Sequence, residues 1–347
     1  MKILLTGHNG YIGTVMGPYL QAAGLEIVGL DSNLFAGCSF GSSRGVIPAL
    51  TKDVREVEPD DLHGFDAVVH LAGISNDPVG DLNPDLTYDI NHRASVRLAA
   101  LAREAGVGRF VFASSCSLYG TADTELMLTE SADFNPVTAY GESKVLVEKD
   151  VSLLADDGFS PTFMRNATVY GVSPRLRVDL VVNNLVGYAY LTGEVLIMSD
   201  GTPWRPLVHV EDVARAFLAV LKAPREAIHN QAFNVGSNEE NYQIRDVASI
   251  VEDTVPNSKV VYAAEGGPDP RCYRVDFSKL ARTFPDFSPE WDVARGAAEL
   301  LDAYEHNGLT LEQFTGSTYM RVKHIQESME SGLIDSELHV MRPASKV

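Results

Sequence analysis

The chain has 347 residues, 45% of them hydrophobic and 22% charged, which excludes a disordered chain and leaves room for a large core with a second lobe. Its formal net charge of -19 argues against nucleic acid and anionic membranes as partners, although a few local arginines can still hold a small anion in a cleft. Three widely spaced cysteines (Cys38, Cys116, Cys272), no leader pattern in the opening MKILLTG and no apolar run of roughly 18 residues predict a reducing, cytoplasmic setting without a metal site or a membrane span.

In chain order, residues 2–6 (KILLT), 27–30 (IVGL), 67–71 (AVVHL) and 109–113 (RFVFA) are short continuous apolar runs that stop at small or polar residues. Such runs suit strands buried on both faces of a parallel sheet. Helical patterns at 11–23 and 91–105 lie between them, and the alternation predicts an α/β fold, a Rossmann-type doubly wound parallel sheet. Residues 159–171 and 228–236 read as further strands of the same sheet. The expected division is a nucleotide-binding domain over 1–171, with 205–240 returning to it. A smaller, interleaved α/β substrate lobe would take 172–204 and 241–347. Within that span, STYMRVKHIQESMESG (317–332) reads as a packed helix with Tyr319, Met320, Val322, Ile325 and Met329 as its apolar members.

Gly7, Gly10 and Gly13 stand in TGHNGYIG, directly after the first strand. Glycines at this spacing make a tight turn into a helix whose N-terminus can receive a pyrophosphate. Asp31 closes the second strand, where a carboxylate accepts hydrogen bonds from ribose hydroxyls. No Arg or Lys occurs in 31–40, so NAD is expected rather than NADP. Asp53, after the expected third strand, is placed for the adenine edge, with turn capping as the competing reading.

Tyr140 and Lys144 form YGESK, four apart and therefore on one helix face. A tyrosine acting as a base near neutrality must drop by about 3 units from its usual pKa of about 10, or roughly 4 kcal/mol. One cation at ~4 Å supplies about that much at an effective dielectric of 20. Ser115, in VFASSCSLYG at the end of the fourth strand, can share a hydrogen bond with a substrate oxygen.

Taken together, TGHNGYIG, VVHLAGIS, ASSCSLYG, YGESK, TVYG, RPLVHVEDVA, FNVGS and the Arg271–Asp276 spacing resemble an extended short-chain dehydrogenase/reductase of the nucleotide-sugar epimerase/dehydratase family. The resemblance implies a tightly held NAD, a catalytic set of Ser115, Tyr140 and Lys144, and a nucleotide-diphosphate sugar in the second lobe. It places Tyr11, Ile12, Val54, Leu71, Ala72, Gly73 and Asn91 along the cofactor. Ser75, Ser117, Thr168, Arg177, Asn183, Arg205 and Arg271 become substrate contacts, with Arg175 a further candidate. A homodimer through helices near 91–105 and 141–154 is also implied. Cys116 and Ser117 stand where the 4,6-dehydratases carry an Asp-Glu pair, Thr168 replaces the usual asparagine, and Cys116 reads as packing. The expected activity is epimerisation at C4 through a transient 4-keto sugar. A keto-sugar-nucleotide reductase using NAD(P)H is the second reading. A 4,6-dehydratase or a non-catalytic NAD-binding module ranks below it.

Overall fold

The apolar runs pair as parallel strands in a computed structural model that describes residues 1–43, 45–75, 77–80, 83–263 and 271–341. In chain order the strands are β1 (Lys2–Thr6), β2 (Glu26–Asp31), β3 (Ala49–Thr51), β4 (Ala67–His70), β5 (Arg109–Ser115), β6 (Met127–Leu128), β7 (Ser160–Asn166), β8 (Thr168–Tyr170), β9 (Glu194–Ile197), β10 (Trp204–His209), β11 (Gln231–Val235), β12 (Asn241–Gln243), β13 (Lys259–Tyr262) and β14 (Arg274–Val275). Seven of them form one sheet in the order β11-β7-β5-β4-β1-β2-β3, every pairing parallel. β4 and β7 are buried along their whole length, as strands covered on both faces must be.

Residues 159–171 do not run in this sheet throughout, a correction to the sequence reading. β7 does, but β8 pairs with β10, which also pairs with β12 in a separate sheet of three strands. β7 is flanked by β5 and β11, and beyond Asn166 the chain leaves this sheet.

Alternating side chains divide the core. Ile3 and Leu5 pack on one face with Val213 and Phe217 of the helix Val210–Lys222. Leu4 and Val68 pack on the other with Leu98 of the helix Ala94–Glu104 and Val147 of the helix Ala139–Ser152. A third cluster, including Val182, Leu185, Val247 and Leu300, fills the second lobe.

The segment 241–347 does not pack as one unit. Tyr273, Val275 and Leu280 join the first face of the large sheet, and Ile325, Ile334 and Leu338 join the second. The helix Arg321–Glu330 buries Ile325 there, in the same apolar cluster as Leu30 and Val54 near the β2–β3 edge. Met329 of the same helix is exposed instead. Among the described residues, no helix is long and apolar enough to cross a membrane.

Candidate active site

The chain order of the large sheet reverses between β1 and β4, and doubly wound sheets bind ligands in the crevice outside such strand ends. A cavity of about 860 Å³ opens there, near the top of the ~300–1,000 Å³ typical of ligand sites.

The phosphate loop forms one wall: Gly7, Gly10, Tyr11, Ile12 and Gly13 all line the cavity. Gly7 has φ +71°, and a Cβ there would lie 2.7 Å from the Ala72 nitrogen. A Cβ on Gly13 would lie 2.2 Å from the Gly7 carbonyl oxygen, so no larger residue fits this turn. The helix Gly13–Ala22 that follows has neither a side-chain cap nor an acid in its first turn, leaving its positive end open to an anion.

Asp31 accepts from the backbone N–H of Asn9 (2.9 Å) and of Asn33 (2.8 Å), and still lines the cavity. A carboxylate has about four acceptor sites, so both bonds leave capacity for ribose hydroxyls. Asp53 lines the cavity beside Val54 and also caps a turn. It accepts from the Arg55 backbone at 2.8 Å and from its guanidinium at 2.8 and 3.0 Å. Burial pushes Asp53 up, but the Arg55 bonds outweigh it and hold the carboxyl below its ordinary value.

Leu71, Ala72 and Gly73, just beyond β4, also line the cavity. Asn91, expected along the cofactor, packs directly behind this segment. It is 1% exposed, accepts from Ile74 N–H (2.7 Å) and donates to Ile74 carbonyl (2.8 Å). Both ends of the amide are engaged by the segment after β4, so Asn91 shapes that wall from behind.

Ser115, Tyr140 and Lys144 converge on the same cavity. Thr138 caps the helix Ala139–Ser152 by accepting from Gly141 N–H (3.1 Å), which sets Tyr140 in the first turn and Lys144 one turn on. Lys144 is buried, its Nζ donates to the Ala113 carbonyl of β5 (2.8 Å), and it lies 5.5 Å from the Tyr140 ring centre. Burial pushes the ammonium down to about 7, against an opposing pull from Glu148. Ser115 Oγ accepts from Ser117 N–H (3.1 Å), leaving its own proton for another acceptor.

On the far wall stand Ser75, Ser117, Thr168, Arg177, Arg205 and Arg271. Arg177 forms a fork with Asp179 (2.6 and 3.2 Å) and donates to Ser75 Oγ (3.0 Å). Burial opposes its charge and Asp179 more than compensates. Arg205 is buried and donates to the Trp204 carbonyl (2.8 Å) and to that of Arg271.

Asn183, expected as a substrate contact, spends its amide on the backbone beside the cavity. It is fully buried, accepting from Gly171 N–H (3.0 Å) and donating to the Arg177 carbonyl (2.9 Å), while its neighbour Asn184 lines the site. Arg175 is likewise not a lining residue. It donates to the Asn9 carbonyl (2.9 Å) and the Ala36 carbonyl (2.7 Å), tying the phosphate loop to the segment after β2.

Sequence reasoning missed several lining residues. Tyr273 is buried beside Arg271 with a bond to Ser117, and burial pushes its phenol far up. Its place two residues after Arg271 was an available signal, since alternate residues of an extended segment share a face. Leu34, Phe35, Arg321 and Leu338 also line the cavity. The last two come from the tail, and no local pattern announces them.

Cys116 is 1% exposed and its thiol donates to the Arg165 carbonyl at 3.2 Å; burial raises it well above a thiol's usual value. That position therefore carries no acid or base for the cavity.

A sequence model of the NAD dependent epimerase/dehydratase family matches residues 3–236. The UDP-glucose 4-epimerase of Corynebacterium glutamicum is 28% identical over 272 residues, 73% of this chain and 80% of that protein. The enzyme of the same name from Lactobacillus helveticus is 28% identical over 313 residues, 84% of this chain and 92% of that one. Among solved structures, the NAD dependent NDP-hexosamine 5,6-dehydratase TunA superposes with TM-score 0.78 and 27% identity, over 88% of this chain and 98% of its own. MoeE5 in complex with UDP-glucuronic acid and NAD gives TM-score 0.76 and 26% identity, over 88% of this chain and 99% of its own.

Proposed function

Because this chain belongs to the NAD dependent epimerase/dehydratase family, we propose that its cavity holds NAD and a nucleotide-diphosphate sugar and inverts the sugar at C4. One observation carries the reading: Ser115, Tyr140 and Lys144 line the same cavity as a glycine turn that leaves a helix N-terminus bare for a diphosphate. The relatives named UDP-glucose 4-epimerase support the epimerase outcome and a uridine nucleotide.

Bound NAD would supply the hydride acceptor and donor that lets C4 pass through a ketone and back. Tyr140 takes the proton of the 4-hydroxyl and later returns it. Lys144 sits where a phenolate on Tyr140 favours its charged form, so the two groups charge together. Ser115 donates its free O–H to the oxygen at C4. Arg205 and Arg271 are the residues assigned to the sugar-nucleotide diphosphate, and guanidinium forks suit phosphate oxygens.

Three described carboxylates line the cavity, and each has a local partner: Asp31 the Asn9 and Asn33 amides, Asp53 Arg55, and Asp179 Arg177. This favours a redox-neutral inversion over elimination of water, which needs a free acid and base. A homodimer through the helices Ala94–Glu104 and Ala139–Ser152 belongs to the same proposal, with sedimentation as its check. So does a reducing, cytoplasmic setting, supported by the free thiols of Cys38, Cys116 and Cys272.

The test is to denature the purified protein, identify the released nucleotide, and incubate native protein with UDP-glucose and UDP-glucuronic acid without added cofactor. Proton NMR of the anomeric region is expected to show a new epimer without net NADH. Turnover only with added NADH and a keto sugar would instead make the enzyme a reductase.

A further inference from the structure

The C-terminal chain brings to this cavity an apolar side chain that none of the roles above uses. Residues 333–341 form a tight hairpin. Ile334 and Val340 are bridged antiparallel, Met341 N–H donates to the Leu333 carbonyl (2.9 Å), and Asp335 N–H donates to the His339 carbonyl (3.1 Å). The Asp335 carboxylate closes the turn. It accepts from the N–H of Glu337 (2.9 Å) and of His339 (2.8 Å), and the His339 ring stands 3.1 Å from its other oxygen. Leu333, Val340 and Met341 are exposed, whereas Leu338 of the same hairpin is 5% exposed and lines the cavity.

Leu338 has φ +60°, a left-handed conformation that residues other than glycine rarely take and that persists only where the surroundings over-determine it. Two attachments hold it. Its N–H donates to the Asp335 carbonyl (3.1 Å), and Arg55 Nη1 donates to the carbonyl of the preceding Glu337 (2.9 Å). The same Arg55 guanidinium forks Asp53, so the hairpin is tied to the wall that carries Asp53 and Val54. Leu34, Phe35 and Val54 belong to the same apolar cluster as Leu338, and all four line the cavity. The end of the cavity that holds Asp31 and Asp53 therefore combines two carboxylates with an apolar patch. The adenosine half of a dinucleotide has the matching chemistry: ribose hydroxyls for a carboxylate, and a flat ring whose faces gain from apolar contact.

We propose that Leu338 is a cofactor-binding residue whose side chain packs against the adenine ring of the bound dinucleotide, making the C-terminal hairpin a wall of the adenine pocket. The proposal rests on reading this cavity as an NAD site. The hairpin's own hydrogen bonds and the Arg55 link fix Leu338 before any cofactor arrives, so the contact costs little ordering.

The full-length protein, stripped of nucleotide, is titrated calorimetrically with ADP-ribose, nicotinamide mononucleotide and UDP, as wild type, Leu338→Ala and Leu338→Met. Leu338→Ala is expected to weaken ADP-ribose by about 5- to 20-fold through the lost apolar contact, leaving the other two ligands within about twofold. Leu338→Met, which keeps the volume, is expected to stay within about threefold of wild type for ADP-ribose. Unchanged ADP-ribose affinity in Leu338→Ala overturns the proposal. So does an equal loss for all three ligands, which would mean that Leu338 only fills the core. A loss confined to UDP or to nicotinamide mononucleotide would assign the residue to another part of the cavity and likewise overturn it. Should Leu338→Ala not fold, wild-type protein with labelled leucine methyls decides, the Leu338 signals being assigned through Leu338→Met. A nuclear Overhauser effect from those methyls to the adenine H2 or H8 of saturating ADP-ribose supports the contact, and none removes it. Wild-type protein that binds neither NAD nor ADP-ribose would defeat the NAD reading itself, a result distinct from any of these.

Discussion

His70, the last residue of β4, is wholly buried, with Nδ1 2.6 Å from the Thr6 hydroxyl and Nε2 2.7 Å from that of Ser95. Burial, and then the nearby Lys144 charge, hold its pKa down to about 3. The folded pKa lies below the unfolded value of about 6.5, so the unfolded chain takes the proton first. The resulting stability is complete above pH 6.5 and is lost as pH falls toward 3, at about 1.4 kcal/mol per unit. Urea unfolding of wild type and His70→Gln at steps from pH 7 to pH 5 should therefore show the wild type losing its advantage at about that slope. Parallel curves would mean that the imidazole titrates normally. Tyr140 tests chemistry rather than stability. Tyr140→Phe should keep its bound nucleotide and lose turnover by about 100- to 10,000-fold, read as epimer formation per protein-bound NAD. Normal turnover in that variant would remove the phenol from the mechanism.

At the scale of elements, the helix Ala139–Ser152 is held in register by a side chain from the catalytic stripe itself. Glu148 follows Tyr140 and Lys144 at the same four-residue interval. Its carboxylate accepts from Ser114 Oγ of β5 (2.5 Å) and pairs with Arg165 of β7 (2.6 Å), with both partners of the ion pair buried. Arg165 also reaches the Tyr119 hydroxyl (3.0 Å) and the Glu130 carbonyl (2.9 Å). Breaking a buried pair strands one charge, so Glu148→Ala should lower unfolding free energy by about 3–5 kcal/mol in chemical denaturation. A loss below about 1 kcal/mol would mean that the pair is solvated rather than structural. The tyrosine–lysine spacing is a local helical signal and was legible in the sequence. The anchoring of the same helix by β7 was not, because Arg165 lies 17 residues further on, across a strand crossover.

At the scale of the molecule, chain ends meet chain beginnings. Tyr11 in the phosphate loop donates to the Gly171 carbonyl just after β8 (2.7 Å), tying the start of the chain to a segment 160 residues on. The tail helix, more than 280 residues after the glycine loop, packs in the same cluster as Leu4 and Leu30. If that cluster is one cooperative unit, Ile325→Ala should cost about 2–5 kcal/mol and shift a single thermal transition. A separate, earlier transition would instead mark the tail as an appendage.

The sequence by itself determined the parts whose physics is local: the glycine turn, the acid at the end of β2, the serine at the end of β5, and the tyrosine and lysine one helical turn apart. Backbone conformation, strand ends and helix periodicity are written within a dozen residues, so these positions need no partner to be recognised. Only the tertiary structure decided that Asn91 and Asn183 serve the backbone behind the cavity. The same holds for Arg175, which binds loops rather than substrate, and for Leu338, which comes from the tail to the cavity. In each case the outcome depends on which carbonyl or cavity a side chain meets after the chain has crossed the sheet, and no periodicity in the sequence records that meeting.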